Sequence, residues 1–243
     1  MSKFISGRKP VSEAIAARNS IDLLLLRKGA SRPLQEIADQ AREAGIACKY
    51  VSREELDRQC PGNNQGIAAR MTSARITDLE GLISGTQHTA MPLLLALDQV
   101  QDPGNVGTLS RTLLALGGAG IIVTKNNSAA LGAGALKASA GALSRLPLAR
   151  VTNLARTLDG LKEKGFWIYG AGAGQKGTDA FHFAPAFPAV LVLGNEEKGI
   201  RPNVNKRCDT NLHVPMPGGF ESINVAQAGA IIIAEFLRQA GAK

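Results

Sequence analysis

The 243-residue chain predicts an α/β fold: a parallel sheet covered by helices on both faces, preceded by a small α/β unit. Three observations predict it. Nearly continuous apolar runs, such as Leu93–Leu97 and Ala189–Leu193, alternate with helix-length segments, the pattern of strands buried on both faces. Three of these runs end in Gly-rich loops that carry polar residues. An aperiodic stretch, Thr72–Pro92, separates a basic first third from the rest and reads as a boundary. The expected division is a unit over 1–75, a linker over 76–91 and a larger domain over 92–243.

In the first unit, Pro10–Arg18 predicts a short helix and Asp22–Arg27 a buried strand. Ser31 is a candidate N-cap for a helix over Pro33–Ala44, which Gly45 stops. Ile46–Val51 is a second strand. Ser52-Arg53-Glu54-Glu55 has the pattern of a capping box, in which the Ser side chain accepts a first-turn amide. Pro61-Gly62-Asn63-Asn64 turns the chain into a third strand, Ile67–Met71. The linker holds one possible helical turn, Asp78–Ile83.

In the second domain, strands are expected at Leu93–Leu97, Gly120–Thr124, Phe166–Gly170, Ala189–Leu193 and Asn211–Val214. Helices are expected at Val106–Leu116, Leu131–Leu143, Leu154–Lys164, Pro202–Cys208 and Val225–Arg238.

Composition narrows the function. Hydrophobic residues make up 44%, enough for a sizeable core, but aromatics only 4%, which argues against a binding surface built on stacked rings. The net charge of +8 points to a polyanion such as RNA or DNA. Residues 1–75 hold 13 of the 28 Lys and Arg but 8 of the 20 Asp and Glu, so the first unit is the expected polyanion-facing part. Cys48, Cys60 and Cys208 form no paired motif, and His88, His182 and His213 lack metal-ligand spacing, so neither a disulfide frame nor a metal site is expected. No apolar run approaches membrane-spanning length and the N-terminus lacks a signal-peptide core. A soluble, cytoplasmic protein is expected.

Four stretches carry candidate chemistry. In Val214-Pro215-Met216-Pro217-Gly218-Gly219-Phe220-Glu221-Ser222-Ile223-Asn224, proline and glycine force an irregular loop. Ser222 and Asn224 then stand at the start of a helix, either as caps or as a polar site facing a ligand. In Leu97–Arg111 a strand runs into Pro103-Gly104, Asn105 reads as a helix cap, and Arg111 falls inside an otherwise apolar helix. In Leu191–Pro202 a buried strand ends on Gly194, and Asn195, Glu196 and Gly199 form a tight polar turn. Gly172–Gly177 spells G-x-G-x-x-G after a strand, but Pro185 and Pro188 deny it the helix that a dinucleotide fingerprint opens.

Three of these sets share an order and spacing with a known family. Asn105-x-Gly107-x-x-x-Arg111, Gly194-Asn195-Glu196-x-x-Gly199 and Pro215-Met216 followed by Ser222-Ile223-Asn224-Val225 resemble the three motifs of the SpoU (TrmH) branch of the SPOUT RNA methyltransferases. The basic first unit, with Gly7-Arg8-x-x-Val11 and Asn64-Gln65-Gly66-Ile67, is similar to the family's RNA substrate-binding domain. In length and layout the chain looks like the subgroup that methylates a guanosine 2′-hydroxyl in 23S rRNA, although Asn64 stands where that subgroup often has His and Ala226 where it often has Ser.

The resemblance implies a C-terminal trefoil knot, a homodimer, and S-adenosylmethionine as cofactor, with no metal and no membrane. It implies that Gly194, Val214, Met216 and Ile223 line the cofactor pocket and that Glu196, Ser222 and Asn224 shape the active centre. It assigns Asn105 and Arg111 to the RNA phosphate and target hydroxyl, with Arg111 reaching the partner's pocket. A tRNA substrate and a non-catalytic RNA-binding protein with a relict pocket stand as the alternatives.

Overall fold

The computed structural model describes residues 4–16, 21–71, 74–172 and 177–241. The first unit is a four-stranded mixed sheet. Its strands are β1 (Phe4–Ser6), β2 (Ile21–Arg27), β3 (Ala47–Val51) and β4 (Ile67–Met71), in the order β1-β4-β2-β3. The run of leucines in β2 is apolar throughout because both faces are covered. Leu24 and Leu26 pack under helices α1 (Arg8–Ala16) and α2 (Arg32–Glu43). Leu25 packs on the opposite side with Leu56 of α3 (Arg53–Gln59). Ser52 caps α3 by accepting the Glu55 amide at 3.2 Å, as the capping-box pattern predicts. Ser31 occupies the N-cap of α2, but its side chain makes no cap bond; Pro33 in the first turn starts that helix without it. The end of the expected Pro10–Arg18 helix lies outside the described residues.

Asn64 has a structural task in this unit. It is buried, donates to Asp57 Oδ1 at 2.7 Å and to the Cys60 carbonyl at 3.3 Å, and accepts the Gly66 amide at 3.0 Å. It thereby ties the loop before β4 to the end of α3.

The second sheet has eight strands, all parallel. They are β5 (Ile76–Thr77), β6 (Met91–Asp98), β7 (Gly118–Thr124), β8 (Leu148–Val151), β9 (Trp167–Ala171), β10 (Thr178–Asp179), β11 (Ala189–Gly194) and β12 (Thr210–His213). Their order is β10-β12-β9-β11-β6-β7-β8-β5. Side chains along each central strand alternate between two cores, as the two-residue pleat requires. Leu93, Leu95 and Leu97 of β6 face α5 (Pro103–Ala115) and α9 (Val225–Ala240). Leu94 and Ala96 face α4 (Leu79–Thr86) and α7 (Leu154–Glu163). The result is the expected three-layer α/β architecture.

The segment read as a linker carries more structure than its lack of periodicity suggests. β5 pairs with β8 as an edge of the large sheet, and Asp78 caps α4 by accepting the Gly81 amide at 2.8 Å. The expected single helix over Leu131–Leu143 is a correction. The chain forms α6 (Ala133–Ala138), breaks at Ala140 and Gly141, both at positive φ, and resumes as a 3-10 turn at Ala142–Ser144. The helix expected at Pro202–Cys208 is only the short α8 (Pro202–Asn205), and Cys208 lies beyond it.

α7 offers a test of helix propensity without packing. A methyl group added at Gly160 meets nothing within 4 Å. Gly160→Ala is expected to stabilise the protein by about 0.5–1 kcal/mol, because the unfolded chain loses freedom and the helix gains a better former. Thermal unfolding checks it; a lowered midpoint would contradict the open space at that position.

Candidate active site

The sheet order reverses direction between β6 and β11. From β6 the chain works outward through β7 and β8; on the other side lie β11, β9 and β12. Ligands of open α/β sheets bind at the carboxyl ends of strands at such a switch point. β6 and β11 end together, with Asp98 opposite Gly194. The three candidate loops follow β6, β11 and β12.

The loop after β6 enters α5 differently from the sequence expectation. Asp102, not Asn105, is the N-cap: its carboxylate accepts the amides of Gly104 and Asn105, both at 3.1 Å, and Pro103 occupies the first turn. Asp102 succeeds because an acidic cap followed by proline satisfies the first-turn amides with no rearrangement. The Asn105 side chain is thereby released to face the neighbouring loops.

The loop after β11 is a closed turn. Asn195 N–H donates to the Gly199 carbonyl at 3.0 Å and Gly199 N–H returns the bond at 2.9 Å. Asn195 Oδ1 accepts the amides of Glu197 and Lys198, both at 3.1 Å, while its Nδ2 donates to the Gln99 carbonyl at 3.0 Å. The expected polar turn is present, and it is tied to the loop after β6.

The loop after β12 delivers Asn224 to the N-cap of α9. Its Oδ1 accepts the Ala226 amide at 2.8 Å and the Gln227 amide at 3.4 Å. That bonding fixes the amide's orientation, so Nδ2 points outward as a donor. It donates to Asn105 Oδ1 at 3.1 Å, and Asn105 Nδ2 in turn donates to Glu196 Oε1 at 2.9 Å. Glu196 Oε2 accepts a further bond from Asn195 Nδ2 at 3.3 Å. A directional chain therefore runs Asn224, Asn105, Glu196 and joins all three loops. For Asn224 the capping reading holds, and its side chain also reaches Asn105 on the neighbouring loop. Ser222 is not a cap; it lies two residues earlier, on the cavity wall.

Beside this chain is a cavity of about 370 Å3. Its walls include Gly194, Glu196, Val214, Met216, Ser222, Ile223 and Asn224, which are all the predicted site residues except Asn105 and Arg111. Asn105 touches the cavity set through Glu196 and Asn224. Arg111 stands apart, exposed on α5 on the side away from the buried Val106, Leu109, Ser110 and Leu113. Gly172 also lines the cavity, whereas residues 173–176 of the G-x-G-x-x-G stretch lie outside the described residues. A larger cavity, about 680 Å3, lies where the first unit meets the second, near Ile15, Asp78 and Lys125. It holds none of the predicted site residues, and the convergence of the three loops makes the smaller one the candidate site.

Two glycines explain part of the motif spacing. A methyl at Gly107 would come within 2.6 Å of the Ala135 carbonyl oxygen, so this glycine lets α5 lie against α6. A methyl at Gly194 would fall 2.1 Å from the Gly199 carbonyl carbon and 2.2 Å from the Ile200 nitrogen, so this glycine admits the closed turn.

Sequence reasoning missed Asp98 and Arg201. Asp98 is fully buried at the end of β6, and its carboxylate is held by Arg201 through Nε at 2.8 Å, Nη2 at 2.6 Å and the backbone N–H at 2.9 Å. The available signal was an acidic residue closing an apolar strand with no local partner.

The cavity's chemistry suits a mixed ligand. Leu193, Val214, Met216, Ile223, Val225 and Ile232 provide apolar walls, and Glu196 adds a carboxylate. Its volume lies within the roughly 300–1,000 Å3 of small-molecule sites. The cofactor that the family resemblance implies, an adenosyl group with a cationic centre, is compatible with both properties. Among the described residues, no group of His, Cys, Asp and Glu is arranged to hold a metal ion.

Residues 92–234 match the SpoU rRNA Methylase family, and residues 4–77 match the RNA 2'-O ribose methyltransferase substrate binding family. The chain is 39% identical over 221 residues to the 23S rRNA (guanosine-2'-O-)-methyltransferase of Xanthomonas campestris, covering 89% of this chain and 88% of that one. It is 36% identical over 241 residues to an uncharacterized tRNA/rRNA methyltransferase of Mycolicibacterium vanbaalenii, covering 98% and 76%. The crystal structure of the SpoU methyltransferase AviRb of Streptomyces viridochromogenes, in complex with AdoMet, superposes with a TM-score of 0.61 at 24% identity, over 99% of this chain and 91% of that one, a likeness of fold.

Proposed function

The chain belongs to the SpoU rRNA methylase family, and on that premise we propose that it methylates a guanosine ribose 2′-hydroxyl in 23S rRNA. It is an RNA methyltransferase that uses S-adenosylmethionine. The observation that carries the site assignment is the hydrogen-bonded chain from Asn224 through Asn105 to Glu196, set beside the cavity at the switch point. A protein that only bound RNA would have no use for a directional polar chain against a small-molecule cavity, which disfavours the relict-pocket alternative.

When bound, S-adenosylmethionine supplies a methyl group on a sulfonium centre, open to displacement by an oxygen nucleophile. Gly194, Val214, Met216 and Ile223 would hold it, the glycine by letting the turn close and the others by apolar contact. Catalysis then rests on alignment and on stabilising the charge that develops on the ribose oxygen. The orientation of Asn105 and Glu196 is set in advance by the Asn224 cap, so little reorganisation accompanies the reaction. Ser222 lines the same cavity, and we assign it to shaping the acceptor's position. The 2′-hydroxyl itself selects RNA over DNA.

Arg111 is exposed and lies outside its own chain's cavity. We assign it to the active centre of a partner copy in a homodimer. Guanidinium stays protonated, so its role there is to clamp RNA phosphate and stabilise developing negative charge rather than to accept a proton. The segment that leaves β11, passes β9 to reach β12 and continues into α9 is where the family's trefoil knot would form. The first unit, which carries much of the positive excess, would grip the RNA. No helix among the described residues is long and apolar enough to cross a membrane, and a ribosomal substrate agrees with action in the cytoplasm.

The test is methyl transfer from labelled S-adenosylmethionine to purified RNAs. A 23S rRNA transcript is expected to acquire 2′-O-methylguanosine. Label confined to tRNA would move the substrate to the tRNA alternative, and label in no RNA would end the catalytic reading.

A further inference from the structure

We propose that Asp98 is a positioning residue that holds the catalytic turn, acting through Arg201; the catalytic part of this inference rests on the function proposed above. Asp98 lies outside the cavity lining and reaches the site only by way of the turn. It closes β6 directly opposite Gly194, the last residue of β11. Its two carboxylate oxygens take three bonds from one residue, Arg201, two positions beyond the end of the closed turn.

The turn is therefore tied to the loop after β6 at both ends. Asn195, at its start, donates to the Gln99 carbonyl, and Arg201, just past its end, is bound by Asp98. Gln99 itself adopts a positive φ of 63°, outside the extended strand conformation. Glu196 projects from the short span between these two ties and meets Asn105, which stands on the same loop that Asp98 begins. The separation of Glu196 and Asn105 is thus a consequence of how firmly Arg201 is held.

A fully buried carboxylate is costly unless it is paired and fully hydrogen-bonded. A serine or asparagine would close the strand at less cost but could not fix both a guanidinium and a backbone amide. The fork of Arg201 uses Nε and Nη2 on one oxygen while its backbone N–H takes the other, so side chain and main chain are locked together. Val214, Met216 and Ile223 come from a different loop and stay in place when the tie loosens. The turn also lines the cavity through Gly194, Glu196 and Gly199, but a loosened turn keeps its mean position, whereas a methyl at Gly194 displaces it.

The experiment compares Asp98→Asn and Arg201→Lys with the unaltered protein in three measurements: amide hydrogen exchange, S-adenosylhomocysteine affinity and methylation of 23S rRNA. In Asp98→Asn, exchange at Glu197, Lys198, Gly199 and Arg201 is expected to accelerate about tenfold or more, with the amides of β6 and β11 unchanged. Turnover is expected to fall about tenfold or more, while S-adenosylhomocysteine affinity changes only a few-fold. Arg201→Lys keeps the charge and the backbone amide but lacks the fork, so an intermediate loss is expected; it also decides the matter if Asp98→Asn does not fold. Unchanged exchange in the turn overturns the proposal. So does faster exchange throughout the domain with affinity and turnover falling together, which marks a general stabiliser. Should the unaltered protein methylate no RNA, the functional reading fails, and the exchange measurement still decides whether Asp98 holds the turn.

Discussion

Arg111→Ala is expected to lower RNA methylation by about 10²–10³-fold, the loss that follows removal of one preorganised charge-stabilising donor, while S-adenosylhomocysteine affinity changes only a few-fold. The two effects separate because Arg111 is not part of the cavity that would hold the cofactor. Its helix is held by the buried residues Val106, Leu109, Ser110 and Leu113, so truncating an exposed side chain on the opposite face leaves α5 in place. Thermal unfolding is expected to be unchanged. Equal loss of turnover and affinity would show instead that Arg111 supports the cavity.

The location of Arg111 also makes a stronger statement testable. If each active centre combines one subunit's cavity with the other's Arg111, two impaired variants, assayed at a cofactor concentration that leaves Gly194→Ala largely unloaded, restore one another. Arg111→Ala retains a sound cavity, and Gly194→Ala retains the arginine. A mixed dimer then contains one complete centre, and random mixing of equal amounts yields about a quarter of the unaltered number of centres in a twofold-symmetric assembly. No recovery after mixing and re-equilibration would place Arg111 in its own subunit's reaction or outside the reaction altogether.

The core strands of the second domain were legible because each is an apolar run with a definite end. β6 and β11 fall within a few residues of where the run predicts them. β8 was not read: it has four residues, Leu148–Val151, after Pro147, too few to show a period. β5 and β10, two residues each, owe their pairing to neighbours remote in sequence rather than to local preference. The helix over 131–143 is overextended because its alanines and leucines favour helix, while the break is local: Ala140 and Gly141 take positive φ and the Gly141 amide donates back to the Leu136 carbonyl at 3.4 Å, a glycine stop that the sequence carries.

The site was legible in a different way. Local pattern placed polar residues at three strand ends, where open α/β sheets bind ligands and where the loops could line one pocket, but did not say which side chains would touch. Asn105 is 91 positions from Glu196 and 119 from Asn224, and only the strand order brings them together. The family resemblance supplied that connection. It did not supply the cap at Asp102, although Asp102-Pro103 carries the signal for it, nor the clamp between Asp98 and Arg201, whose partners are 103 positions apart. A buried charge on an apolar strand announces that it has a partner but does not identify it.

Gly194→Ala is expected to reduce S-adenosylhomocysteine affinity roughly 10- to 100-fold, the equivalent of the typical overpacking cost of about 1–3 kcal/mol concentrated at one turn. The added methyl would lie 2.1, 2.2 and 2.5 Å from the Gly199 carbon, the Ile200 nitrogen and the Gly199 oxygen. These are backbone atoms, so no rotamer change relieves the overlap. β11 is buried along its whole length and paired on both sides, which leaves the turn as the part that moves. The turn carries Glu196 and part of the cavity wall, so binding and methylation fall together, in contrast to Arg111→Ala. Gly199 in the same motif makes a different demand. It has φ of +67° with open space around it, so asparagine, which tolerates that conformation, is expected to serve there nearly as well. Calorimetric titration of S-adenosylhomocysteine into Gly194→Ala and Gly199→Asn compares the two requirements directly. An unaffected Gly194→Ala would mean that the strand end and the turn are free to separate, and the cavity would then not depend on their close approach.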